Sequence, residues 1–192
     1  MVNYTVIRCF HSVQDKLFVD ETTRLVFCRL LEKYVMREIP VYAWSLTNHE
    51  ALCLTVQKAK TDNCSAFSDE LVQAYTAYCR QRKMHSLCKP DYELIPVPDS
   101  REELCKSVVA LHCWPLLQGL GSNFVEYPWT SYLLILGKQH PYLQSKTVLK
   151  WFDNKQKFRH EHLKMLKKKE VLKKEFGDNF INFMGERKRY EI

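Results

Sequence analysis

A chain of 192 residues with 46% hydrophobic and 12% aromatic residues has the material for one filled core, or one domain with an appendage, and is excluded from the disordered and low-complexity classes. No apolar run approaches the length that spans a bilayer, and no basic stretch followed by an apolar core opens the chain, so a cytoplasmic location without a membrane partner is expected. The net charge of +7 is uneven: residues 1–145 carry 15 Lys+Arg against 15 Asp+Glu, residues 146–192 carry 14 against 7. A basic appendage on a neutral domain suits a phosphate backbone, and equally a solvated amphipathic helix.

The alternating, β-branched stretch from Tyr4 to Cys9 predicts a first strand. Asp20 reads as the N-cap of a helix from Glu21 to Arg37, with Leu25, Cys28, Leu31 and Val35 on its buried face. Pro40 stops that helix, and two strands follow, Val41–Leu46 and Ala51–Gln57, joined at Thr47-Asn48. The polar stretch from Lys58 to Cys64 reads as a loop, before a helix from about Ser68 to Arg82 with Leu71, Tyr75 and Tyr78 along one side. Asp91 to Ile95 predicts a strand kept short and at an edge by Pro90, Pro96 and Pro98. Ser100 with Glu103 forms a capping-box pattern for a helix through His112, which Pro115 and Gly119 are expected to break. Trp129 to Leu136 is a short apolar segment before a boundary at Gly137 and Pro141, and Lys155 to Phe176 predicts a basic tail helix. The order strand, helix, strand, strand, helix, strand, helix implies an α+β fold with an antiparallel sheet and helices packed on it. It divides into a first domain, 1–137, and a basic helical extension, 138–192.

Some chemistries find no support. Five glycines leave little room for a phosphate-cradling loop, and no Ser-His-Asp arrangement stands out. The eight cysteines contain no Cys-x-x-Cys pair and read as reduced, buried thiols; Cys79, His85 and Cys88 lack a paired spacing and a fourth ligand for zinc. His160-Glu161-His162 lies on a predicted helix, where residues two apart point about 200° from each other, so its imidazoles diverge.

Three segments carry more. The first is Leu46-Thr47-Asn48-His49-Glu50-Ala51. On a strand, positions i and i+2 share a face, so a His-x-His pair there holds a divalent ion; here His49 is followed by Ala51, and Asn48-His49 alone reads as a turn and a half-buried strand histidine. The second is Ala110-Leu111-His112-Cys113-Trp114-Pro115-Leu116-Leu117-Gln118-Gly119-Leu120, and the third Tyr127-Pro128-Trp129-Thr130-Ser131-Tyr132. In this order and spacing, together with Thr5-Val6-Ile7-Arg8 and Lys16-Leu17-Phe18, the chain from Tyr4 to about Phe158 resembles the single-tyrosine HUH transposases, most closely the REP-associated tyrosine transposases. Their boxes read Met-Pro-Asn-His-x-His, Tyr-Ile-His-x-Asn-Pro-Val-x-x-Gly-Leu and Pro-Trp-Ser-Ser-Tyr.

The resemblance implies a ferredoxin-like HUH domain and a tyrosine that attacks a DNA phosphate with a metal as Lewis acid. Against that pattern the nucleophile falls on Ala110, the second imidazole on Ala51 and the third ligand on Trp114, leaving His49 as a metal-site remnant. A relative that binds single-stranded or hairpin DNA without cutting it is therefore expected, with no cofactor, or Mg or Mn if it is active. Arg8, Asn48, Arg80, Arg82, Lys83, Lys167, Lys168, Lys169, Lys173 and Lys174 are the candidate DNA contacts, with Trp44 and Trp129 as stacking surfaces. Two other readings stand beside it: an active enzyme with a displaced nucleophile at Tyr34, Tyr75 or Tyr78, and a protein-interaction module that no longer binds DNA.

Overall fold

The computed structural model describes residues 3–11, 16–57, 63–84, 89–137, 140–168 and 171. Strand β1 (Asn3–Phe10) leads into helix α1 (Glu21–Leu31), which continues as a π-helical turn, Glu32–Met36. Strands β2 (Val41–Leu46) and β3 (Glu50–Gln57), helix α2 (Asn63–Gln81) and strand β4 (Asp91–Val97) follow. Helices α3 (Arg101–Leu117), α4 (Tyr132–Leu136), α5 (Ser145–Trp151) and α6 (Lys155–Lys167) complete the described elements. The strands form one antiparallel sheet in the order β2-β3-β1-β4, so the fold is α+β as expected.

Alternation along the strands decides what each helix covers. Cys9 pairs with Ala51, and Cys53 lies close enough to Cys9 and to Cys64 of α2 for the thiols to repel each other's ionisation, so Cys9, Ala51 and Cys53 face α2. Arg8 pairs with Glu93 and Leu52, and Phe10 with Glu50; these side chains face the other way, toward α3. On the α2 side, Phe18, Phe27 and Tyr75 pack edge to face, 5.1–6.0 Å between ring centroids. On the other side, Trp151 of α5 stacks on Tyr42 of β2 at 4.9 Å and meets Tyr4 of β1 edge-on.

Both sheet edges are managed. Pro96 sits in β4 opposite Thr5, tolerated because β4 is the outer strand, though the strand extends to Val97 rather than stopping at Ile95. Beyond β2, the segment 129–131 runs alongside: Leu46 N–H donates to Trp129 O, Ser131 N–H to Trp44 O, and Ser45 bridges Thr130. Farther along, Val41 bridges Leu143 and accepts from Gln144 N–H.

Four expectations need correction. The buried stripe of α1 runs through Thr23, Phe27 and Leu31 and on to Val35, so Leu31 and Val35 are buried as expected, while Leu25 is 48% exposed and Cys28 intermediate; the reciprocal Asp20–Thr23 capping box begins the stripe at Thr23. Cys64 is helical rather than loop, because its buried side chain packs against Val56 and anchors the start of α2. Of the Ser100–Glu103 box only the Ser100 cap of Glu103 N–H forms, since the Glu103 carboxylate pairs with Lys106. Pro115 does not end α3: within the last turn it deletes one hydrogen bond, to Leu111 O, and burial of Trp114, Leu116 and Leu117 outweighs that loss. The stop comes at Gly119, at φ 76°, where Gly119 N–H bonds Leu116 O and Leu120 N–H bonds Pro115 O.

Candidate functional site

The three boxes, far apart in sequence, meet in space. The third lies along the outer edge of β2, where Tyr127 donates its hydroxyl to Leu46 O at 2.6 Å. Ser131 from the same box binds His112 of α3, Oγ to Nε2 at 2.8 Å, and accepts Trp44 N–H at 2.9 Å. The β2–β3 corner that carries His49 is thereby tied to the helix that carries positions 110 and 114.

At that corner the Glu50 carboxylate is already engaged. Glu50, buried at the start of β3, accepts hydrogen bonds from Arg8 Nε and from the Trp114 indole N–H. Arg8 also donates from Nη1 to Glu93 at 2.8 Å. Burial opposes the Arg8 charge, but Glu50 and Glu93 outweigh it and hold its pKa above the ordinary value. One guanidinium between two carboxylates leaves the cluster with net negative formal charge, so Arg8 contributes no positive field for a phosphate. Trp114 is thus a donor to a carboxylate, and indole has no acceptor lone pair for a metal.

Ala110 is 0% exposed and Trp114 1%, so the α3 face that carries them is filled core. His49 lies exposed in the turn, while Ala51 faces α2 between Cys9 and Leu46. Ala51 and Trp114 consequently address opposite faces of the sheet. One exposed imidazole, one methyl and one indole do not fit a divalent ion, and among the described residues no three His, Cys, Asp or Glu side chains are grouped to hold one. Cys79 is buried, and His85 and Cys88 fall outside the described residues. Burial pushes the Cys9 and Cys28 thiols up to about 12, which marks them as inert. Of the tyrosines weighed as displaced nucleophiles, Tyr75 is fully buried and donates its hydroxyl to Leu17 O at 2.7 Å; burial raises its pKa, the opposite of activation. Tyr34 and Tyr78 belong to the α1–α2 layer, across the sheet from α3.

A buried imidazole pair holds α6 on α3. His112 Nδ1 lies 2.9 Å from His162 Nε2, and His162 Nδ1 lies 2.7 Å from Phe158 O. A carbonyl only accepts, so His162 carries its proton on Nδ1 and presents a bare Nε2. His112 then donates from Nδ1 and accepts the Ser131 hydroxyl proton at Nε2. Every nitrogen of the two rings is satisfied with both rings neutral. Burial drives the His162 pKa down to about 3, partly offset by the Phe158 carbonyl, and burial together with His162 holds His112 well below the ordinary value. His160 is exposed while His162 is buried, the divergence expected of residues two apart on a helix.

The predicted basic contacts separate into groups. Arg80, Arg82 and Lys83 are exposed at the C-terminal end of α2, with Arg82 over the Tyr78 ring at 5.9 Å. Lys167 and Lys168 are exposed at the end of α6; Lys169, Lys173 and Lys174 fall outside the described residues. Trp44 is buried, so it stacks on nothing in solvent, whereas Trp129 is half-buried. Sequence reasoning missed Arg24, on α1, which donates to the Asn48 side chain and sits 5.8 Å from the Trp129 ring centroid. No sequence pattern links it to either partner; only the tertiary fold does.

Among the described residues no helix is long and apolar enough to cross a membrane. No family model and no curated protein matches the chain by sequence. Its structure is similar to a solved one described as the REP-associated tyrosine transposase bound to a REP hairpin, with a TM-score of 0.54 over 73% of this chain and 82% of that one, at 12% identity. The two share a fold.

Proposed function

We propose that this protein is a transposase-like DNA-binding protein on a ferredoxin-like HUH-type domain, with a degenerate cleavage centre. The observation that carries the reading is the filling of the α3 face: at the position the resemblance assigns to the nucleophile there is a buried methyl group, and at the position of a metal ligand an indole bonded to Glu50. Loss of a nucleophile alone costs on the order of four or more decades in rate. The β-α-β-β-α-β order supports the ferredoxin-like assignment. The shared fold with a transposase bound to a hairpin supports DNA as the partner, and exposed Arg80, Arg82, Lys83, Lys167 and Lys168 supply cations outside the Arg8 cluster.

The test is an equilibrium titration of hairpin-bearing single-stranded DNA at several salt concentrations. A backbone-binding protein loses affinity linearly in log Kd against log salt, by about 0.7 in slope per phosphate neutralised on a single strand. A slope near zero, or no complex at low salt, contradicts the proposal and favours the protein-interaction reading.

A further inference from the structure

Arg24, Asn48 and Trp129 stand apart from both the Arg8 cluster and the buried imidazole pair. Arg24 comes from the first turn of α1, Asn48 from the β2–β3 corner and Trp129 from the segment lining β2. Among the described residues no carboxylate pairs with Arg24. One guanidinium nitrogen, Nη2, is held by the Asn48 side-chain oxygen, and its Nε–H is buried without a hydrogen-bond acceptor. The corner itself is fixed, because Phe18 N–H donates to Asn48 O and the Thr47 hydroxyl caps His49 and Glu50. Burial pushes the Tyr127 hydroxyl up to about 12, and Arg24 acts against that shift, which puts its positive charge over the third box. A partly exposed cation that no described carboxylate pairs, beside a half-exposed aromatic ring, is the pairing that binds one unstacked nucleotide.

We propose that Arg24, Asn48 and Trp129 form a nucleotide subsite for single-stranded DNA, in which Arg24 takes a backbone phosphate and Trp129 stacks on the adjoining base. Asn48 positions the guanidinium and does not touch the ligand. A base within a duplex has no free face to offer the indole, so the subsite favours unpaired strand. This inference rests on the DNA-binding reading above and assigns it a location.

The test compares the full-length protein with Arg24→Gln, Trp129→Leu and Trp129→Phe in binding a fluorescein-labelled oligothymidylate and a blunt duplex. Trp129→Leu is expected to weaken the oligothymidylate about 5- to 100-fold without altering the salt slope, and Trp129→Phe to recover most of that loss. Arg24→Gln, which keeps an amide donor for Asn48, is expected to lower the slope by about 0.7. Duplex affinity should be unchanged by either Trp129 substitution. Wild-type binding with both Arg24→Gln and Trp129→Leu unaffected overturns the subsite alone; absence of wild-type binding at low salt overturns the subsite and the DNA-binding reading together. Unfolding curves for the three variants separate a binding loss from a folding loss, and an unfolded Trp129→Leu leaves the salt slope of Arg24→Gln to decide the matter.

Discussion

Glu50 joins β3, β1 and α3 through one carboxylate, accepting from Arg8 and from the Trp114 indole inside the core. When Glu50 is removed, Arg8 retains Glu93, but the guanidinium loses its more buried partner and the Trp114 indole loses the carboxylate to which it donates. Breaking one partner of a buried pair costs about 3–5 kcal/mol, so Glu50→Ala is expected to lower the denaturation midpoint by the equivalent of ~3 kcal/mol. A change within experimental scatter would mean that this carboxylate is solvated. Ala110 supplies the complementary prediction. A tyrosine there must enter a filled face, and overpacking costs about 1–3 kcal/mol or more. Ala110→Tyr is therefore expected to destabilise the protein, read by thermal unfolding, without conferring strand cleavage. That Ala110, Ala51 and Trp114 stand where the resemblance expects a tyrosine and two ligands is a reading of the sequence alone. The use made of Trp114 was not legible there: nothing in the spacing of Glu50 and Trp114, 64 positions apart, joins a carboxylate to an indole.

Helix α6 belongs energetically to α3. Its sequence is polar, and only Phe158 and His162 are buried among its residues, so the imidazole pair and the rings around it carry the docking. His112 and His162 have folded pKa values below the unfolded value of about 6.5, so the unfolded chain takes up protons that the native state refuses. Stability is fully present above about pH 6.5 and falls as pH drops below it, by up to ~1.4 kcal/mol per unit for each histidine. His162 stops contributing only near its folded value of about 3. Denaturation followed from about pH 7 to pH 5 should show this decline, and His162→Phe should flatten it by about half. An unchanged slope in that variant would mean that the decline arises elsewhere. At this scale the strands, the α1 cap and the edge position of β4 were readable from alternation, Asp20 and the prolines. The first half of the α1 stripe was not, because it is set by Thr23 and Phe27, and a threonine that caps the helix does not read as a core residue. Pro115 misled for a related reason: chain punctuation predicts a stop, and tertiary burial of the following turn overrides it.

For the whole molecule, the distribution of charge is the feature that sequence and structure read together. The excess of +7 lies after residue 145, yet the part of that segment in α6 is docked on α3 through His162. Lys167 and Lys168 at its end therefore project from a fixed surface, on the same body as Arg80, Arg82 and Lys83. Replacing Lys167 and Lys168 with Gln is expected to reduce the salt slope of single-strand binding by about 0.7 for each phosphate no longer neutralised, with the slope of log Kd as the readout. The meeting of the three boxes was foreseeable only through the resemblance; Arg24 lay outside it and came from the tertiary fold alone. As proposed, this protein holds hairpin-bearing DNA and leaves it intact. That proposal is tested most directly by incubating the labelled strand with the protein and manganese at low salt, then resolving retained complex, cut strand and covalent adduct on native and denaturing gels. Retained complex with full-length DNA on the denaturing gel is the expected result; a shortened strand, or label attached to the protein after denaturation, would mean that the cleavage centre is intact.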